Sequence, residues 1–258
     1  MFKKFAVITV SVALLVLCPA FMVVAASVMD RSVVLVGTEG TYPPFEFYDE
    51  SNNLVGFDVD MVKAIGEKIG KEIQIVDMAF DGLIPALLTG KIDMIASAIN
   101  ATEERRQRVD FSDVYHITDS ALITQVGNDD IKGIRDLMGK IVGAQLGTVE
   151  DFYLTNLNVP VEVKRYQKTD DAVREVLLGR NDGVFMDTVV GIDYVESKRF
   201  EGFLKVAFVE TINGPEEGFA LAARKNDYIF MNAINEALRE MENNGELEAL
   251  RKKYRMAE

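Results

Sequence analysis

The strongest constraint in this 258-residue chain is an alternation of short β-branched runs with amphipathic segments, beginning near residue 32. Residues 32–36 (SVVLV) close on Gly37, the pattern of a buried strand. Residues 57–69 set Val59, Val62, Ile65 and Ile69 at helical spacing, and Gly70 ends the run. Residues 73–76 read as a second strand. Residues 81–89 read as a helix with Asp81 as N-cap and Gly90 at its end, and residues 92–96 as a third strand. Strand, helix, strand, helix, strand predicts a parallel sheet with crossover helices.

The pattern then recurs. Strands are expected over 121–126, 140–144, 162–166 and 183–186, with helices over 131–138, from about Val149, and over 170–178. LIPALLTGKIDMIAS and AVREVLLGRNDGVFMD both read helix, Leu-Leu, Gly, base, acid, strand. Two α/β lobes follow as the economical organisation. No Pro/Gly/Ser linker separates them, and the candidate joints, 115–120 and 211–215, lie beside strands, so the chain crosses twice. Residues 227–255 form two amphipathic helices broken at Asn244-Gly245. Ile229, Ala233, Ile234, Ala237, Leu238 and Met241 make the apolar stripe of the first, and Leu247 and Leu250 extend it. These helices are expected to cover the first lobe. The expected partition is 1–26, a leader; 27–117 plus 213–258, lobe 1; and 118–212, lobe 2.

The first 26 residues have a different character. Lys3 and Lys4 precede an apolar run over 5–17 interrupted by Thr9 and Ser11, Pro19 breaks it, and Val24-Ala25-Ala26 precede Ser27. A basic start, an apolar stretch and a small-residue site describe a secretory signal peptide cut near Ala26-Ser27. A retained membrane anchor is the alternative, since residues 5–26 could span a bilayer. Acylation at Cys18 is disfavoured because Leu15-Val16-Leu17 lack the usual small neighbour. Removing the leader takes away two Lys, no acid and the one Cys, and moves the charge from −13 to −15. Export to the periplasm or cell surface follows.

Composition excludes several chemistries. With 28 basic against 41 acidic residues there is no footprint for nucleic acid. One Cys and one His leave no disulfide scaffold and no Cys- or His-based zinc site. No cofactor or metal is expected. His116, at a joint, is expected to cap or pack.

In open parallel sheets ligands bind beyond the carboxyl ends of the strands. That rule selects the loops 38–45, 97–105, 145–150 and 187–188, two per lobe, hence a cleft between lobes. Glu39 offers a carboxylate and Tyr42 an aromatic platform held by Pro43-Pro44. Arg105 begins a helix capped by Thr102 and matches a carboxylate bidentately. Gly147-Thr148 offers amides and a hydroxyl at another helix start. Asp187 suits an ammonium, and Phe80 can close an aromatic sandwich with Tyr42. Together they describe a receptor for a zwitterion. Each residue also has an ordinary structural use: Arg105 lies in a charged run that suits a solvated helix face, Tyr42 and Phe80 suit a core, and Asp187 suits a helix cap.

EGTYPPFEF, GFDVDMVKAIGEKIG, FDGLIPALLTGKIDMI, ATEERRQRVDFSDVY and GVFMDTV, taken together, resemble the amino-acid-binding proteins of bacterial ABC importers, solute-binding protein family 3. The similarity runs from about Val33 to the C-terminus. It implies an α/β, two-lobed periplasmic-binding-protein fold of type II. Each lobe is then a mostly parallel sheet flanked by helices, and two hinge strands join the lobes. It further implies closure on one polar amino acid, delivery to the transmembrane subunits of an ABC permease, and a monomer. By resemblance Arg105 clamps the α-carboxylate, Asp187 holds the α-ammonium, Tyr42 and Phe80 form walls, and Glu39 reaches the ligand side chain. Thr148 and Val149 match the second-lobe loop whose amides meet the carboxylate. Ser97, Ala98 and Asn100 form the first-lobe loop. Ala98 and Asn100 stand where the family usually carries Gly or Ser and then Ser or Thr, and Gln145 stands where some members carry Lys. Glu39 favours a cationic or hydrogen-bond-donating side chain, such as Arg, Lys, His, Gln or cystine. The rivals are a dehydratase-like enzyme on the same scaffold, with Glu39 as base, and a ligand-sensing domain.

Overall fold

The computed structural model describes residues 27–256, so the expectations for the first 26 residues lie outside it. The chain opens with β1 (Val33–Thr38), then a small antiparallel sheet of β2 (Thr41–Tyr42), β3 (Glu46–Tyr48) and β4 (Leu54–Val55). There follow α1 (Phe57–Ile69), β5 (Glu72–Asp77), α2 (Phe80–Leu88), β6 (Met94–Ile95), the one-turn α3 (Glu103–Arg106) and β7 (Asp110–Phe111). α1 stops where Gly70 takes φ +67°, a left-handed cap that Gly adopts without strain. α2 starts one residue earlier than expected. Ala79 occupies its N-cap and no side chain caps it. Asp81 therefore lies inside the first turn, where its charge favours the positive helix end, and is not the cap. Gly37 in β1 lets α2 and the β6 approach pack on the sheet, since a Cβ there would lie 2.4 Å from Ile92 Cδ1.

The chain then crosses to β8 (Ser120–Gln125), β9 (Ile141–Gln145), α4 (Val149–Thr155), β10 (Glu162–Tyr166), α5 (Thr169–Leu177), β11 (Gly183–Asp187), α6 (Thr188–Glu196) and β12 (Leu204–Glu210). The helix expected over 131–138 is a 3-10 turn at Ile134–Leu137. β12 was not anticipated. It is a seven-residue edge strand, LKVAFVE, paired antiparallel with β8. The return brings β13 (Ala222–Ala223), α7 (Tyr228–Asn243) and α8 (Glu246–Lys253).

Two five-stranded sheets result, in the orders β5-β1-β6-β13-β7 and β10-β9-β11-β8-β12. In each, three strands run parallel, as the strand–helix alternation requires. The other half of each sheet is antiparallel. In the first it is entered by β13, returning from the other lobe, and in the second by β8, arriving from it. The two crossings run side by side. Thr211 Oγ1 donates to Asp119 Oδ1 at 2.7 Å, and Phe219 N–H donates to the His116 carbonyl at 2.8 Å. His116 packs between Phe45 and Phe219, and burial drives its pKa down to about 4.

α7 and α8 cover α1 on the first lobe, with Gly245 left-handed at their break. The buried stripe is Phe230, Met231, Ile234, Ala237, Leu238 and Met241. Ile229 instead is 67% exposed. Ile234, Ala237, Leu238 and Met241 are buried as expected, while in the first turn Phe230 and Met231 face inward, beside the Asp227 carboxylate that caps Phe230 N–H and also holds Ser27 and Val28 N–H. Among the described residues no helix is long and apolar enough to cross a membrane.

Candidate functional site

The two sheets point their carboxyl ends at one cleft. β1 ends at Thr38, so Glu39 leaves the sheet into that cleft and is buried. Its N–H donates to Ser97 Oγ at 3.0 Å. Its carboxylate accepts from Thr41 Oγ1 at 2.8 Å and, from the other lobe, Gln145 Nε2 at 2.9 Å. Burial raises its pKa, with the two hydrogen bonds and Lys168 opposing. Ser97 Oγ donates to Glu46 Oε1 at 3.0 Å. Ala98 is left-handed at φ +42°, a conformation uncommon for residues with a Cβ, and its N–H donates to Asp58 Oδ2 at 2.9 Å. Asn100 turns its amide away, donating to the Glu217 carbonyl at 3.2 Å, while its own carbonyl accepts from Arg105.

Arg105 is 8% exposed, which removes it from the solvated face that Arg108 occupies. The Thr102 cap turns the chain so that the guanidinium folds inward. Nη1 donates to the Asn100 carbonyl and Nη2 to the Gly147 carbonyl of the second lobe, both at 2.9 Å. The guanidinium sits 5.5 Å from the Phe80 ring centroid. Burial lowers its pKa to about 10, leaving it charged at neutral pH.

From the second lobe, Gln145 ends β9, Thr148 caps α4 and Val149 begins it. Asp187 ends β11 and precedes α6 without capping it by a side-chain hydrogen bond. One carboxylate oxygen accepts the Tyr42 hydroxyl. The other, Oδ1, is buried with no protein partner, unusual for a buried polar atom. Burial pushes the Asp187 pKa well up, the nearby Glu150 adding to it.

Two cavities meet at Phe80. The inner one is lined by Glu39, Tyr42, Glu46, Phe80, Ser97, Ala98, Asn100, Gln145, Thr148, Glu150 and Asp187 and holds about 10 Å³, the scale of a single water. The outer one, about 580 Å³, lies between α2 and α4 and takes in Arg105, Gly147 and Val149. Size favours the outer cavity, but chemistry favours the inner. There four carboxyl groups converge, Glu39 just after β1, Glu46 at the start of β3, Glu150 in the first turn of α4 and Asp187 at the end of β11, with Arg105 at the boundary. The expected residues thus gather in one place, with Arg105 and Val149 on its outer side.

Sequence reasoning missed Glu150, Glu46 and Thr41. Glu150 is buried, accepts from Ser120 Oγ at 2.8 Å and has its pKa raised by burial. It stood in a loop already selected by strand order. Glu46 stood within the EGTYPPFEF motif, where nothing in the pattern separates a buried acid from an exposed one. Among the described residues no group of three His, Cys, Asp or Glu side chains is placed to hold a metal.

Comparison with known proteins places this architecture. The family model for bacterial extracellular solute-binding proteins, family 3, matches residues 34–257. The arginine-binding extracellular protein ArtP of Bacillus subtilis is 36% identical over 233 residues, covering 89% of this chain and 89% of that protein. An ancestral arginine-binding protein bound to arginine superposes with a TM-score of 0.82 at 38% identity, covering 87% of this chain and 98% of that one. An ancestral amino acid-binding protein described as a precursor of cyclohexadienyl dehydratase gives 0.79 at 30% identity, covering 89% and 99%. The fold is that of the two-lobed binding proteins, and the chain belongs to the bacterial extracellular solute-binding proteins, family 3.

Proposed function

We propose that this protein is an extracytoplasmic receptor that holds one polar amino acid with a cationic side chain between its lobes and delivers it to an ABC permease. The observation that carries the reading is the charge of the inner cavity. Carboxyl groups arrive from both lobes, while Arg105 is the charged donor placed for an α-carboxylate. A ligand with one negative and two positive charges matches that set. Arg105 and the first-turn amides of α4, at Thr148 and Val149, take the α-carboxylate. The unpartnered Oδ1 of Asp187 takes the α-ammonium. Tyr42 and Phe80 flank the aliphatic stem. Glu39, steadied by Gln145, meets the side-chain cation, and Ser97, Ala98 and Asn100 shape the first-lobe wall. ArtP and the ancestral protein bound to arginine support that ligand class.

The inner cavity as it stands is too small for an amino acid, so entry requires the lobes to part about the paired crossings. A ligand that bonds both lobes then favours the closed arrangement. Arg105 must exchange the Gly147 carbonyl for the ligand carboxylate. The partition into 27–117 plus 213–258 and 118–212 follows the same crossings, and residues 1–26 are removed on export. The protein acts as a monomer.

Thermal-shift screening against the free amino acids and cystine tests this. The melting temperature should rise most with arginine or lysine, and a rise confined to glutamate or aspartate would overturn the charge argument. The likeness to a dehydratase precursor favours one second reading, an enzyme using Glu39. Product formation from cyclic hydroxy-acid substrates, lost in Glu39→Gln, would replace the receptor reading.

A further inference from the structure

Thr41 joins the lobes through both its side chain and its main chain. A hydroxyl has one proton to donate and lone pairs to accept with. The Thr41 proton goes to the Glu39 carboxylate, whose oxygens lie 2.9 and 2.8 Å away. Its oxygen also accepts Thr169 N–H from the second lobe at 3.2 Å. Thr169 is the first residue of α5, and Lys168 before it supplies no side-chain cap. That N–H is one of the donors a helix start leaves unsatisfied, and the other lobe satisfies it. The Thr41 carbonyl in turn accepts the Tyr194 hydroxyl of α6 at 3.0 Å, Tyr194 sharing its proton with Asp170 Oδ1 at 2.8 Å.

One hydroxyl therefore orients the acid facing the ligand side chain and caps a helix of the opposite lobe. When the lobes part, the Thr169 bond is lost and the hydroxyl is free to rotate off Glu39. We propose that Thr41 is a positioning residue that couples lobe closure to recognition of a cationic side chain, by holding the Glu39 carboxylate in its receptive orientation only when α5 is seated against it. This rests on the reading above, in which Glu39 meets the ligand side chain. The side-chain and main-chain bonds of Thr41 have separable consequences. The hydroxyl bond to Glu39 bears on cationic ligands. The main-chain bond from Tyr194 bears on closure, whatever the side chain.

The test is calorimetry with L-arginine and its neutral isostere L-citrulline, the weaker ligand being measured by displacement where needed. The variants are Thr41→Val, Thr41→Ser and Tyr194→Phe. Thr41→Val should weaken arginine by about tenfold or more and citrulline distinctly less, since only arginine brings a cation to pair with the Glu39 carboxylate. Thr41→Ser, which restores the hydroxyl, should recover the wild-type preference. Tyr194→Phe should weaken both ligands by the same factor. If Thr41→Val matches the wild-type protein, if it weakens both ligands equally, or if Thr41→Ser behaves as Thr41→Val, the proposal is overturned while the receptor reading stands. A wild-type protein that binds neither ligand overturns the receptor reading and this proposal with it.

Discussion

Arg105 Nη2 donates across the cleft to the carbonyl of Gly147 at 2.9 Å, so the cation that suits a ligand carboxylate also joins the lobes. Gly147 takes φ +82°, a conformation costly for residues with a Cβ, and this turn presents its carbonyl to Arg105. Replacing Arg105 by Ala should reduce amino-acid affinity by about a hundredfold or more, the scale for truncating one partner of a buried charged pair. Arg105→Lys should recover little, because a point charge cannot span two acceptors at once. Calorimetry alongside circular dichroism checks both, with the native spectrum retained.

Glu39 should set which side chain is accepted. Glu39→Gln keeps the shape and a hydrogen-bonding group while removing the charge. Arginine affinity should fall by about tenfold to a hundredfold, with glutamine affinity changed far less. Competition binding between the two amino acids reads this directly.

Binding should release protons at a pH above the ordinary carboxylate range. Burial, with Glu150 adding to it, raises the Asp187 pKa well above the ordinary carboxylate range, and burial raises that of Glu150. An arriving ammonium favours the ionised form, so a carboxyl protonated in the free protein gives up its proton on binding. Affinity should therefore rise with pH from about 5 upward. Calorimetry in two buffers of different ionisation heat measures the proton count. A value of zero throughout pH 5–8 would contradict the assignment of Asp187.

Stability should vary with pH through a different pair. Glu46, on the cavity wall, and Asp58, behind it, lie buried together, and burial raises both, Asp58 to about 7. The folded state then holds protons that the unfolded chain has released, so unfolding free energy falls as pH rises from about 4 to about 7. His116 acts oppositely. Its pKa is lowered by burial to about 4, so it favours the fold as pH rises from about 4 to about 6.5. One imidazole opposes two acids, so it offsets only part of their effect. Thermal melting of the ligand-free protein should drop as pH rises toward about 7, and Asp58→Asn should lessen that drop.

Much of this architecture was legible in the residues because its signals are local. The 57–69 periodicity gave the bounds of α1, and Gly70 and Gly245 marked real breaks. The loops that line the cleft followed from strand order alone, which brought Glu39, Tyr42, Arg105, Gln145, Thr148 and Asp187 together. What the residues did not disclose depends on pairing across the sequence. β12 takes its place at the sheet edge by pairing with β8, far earlier in the chain, and Ile229 lies on the exposed side of the first turn of α7, next to the Asp227 cap. Glu150, Glu46 and Thr41 act through partners 30 to 128 positions away or through burial, neither of which periodicity reports.

The account turns on a cleft that is acidic except for Arg105, and titration of the protein beginning at Ser27 with L-arginine tests it most directly. One molecule of arginine should bind per chain, at least about a hundredfold more tightly than L-glutamate, whose side chain would meet Glu39 and Glu150. Absence of arginine binding, or a preference for glutamate, would contradict it.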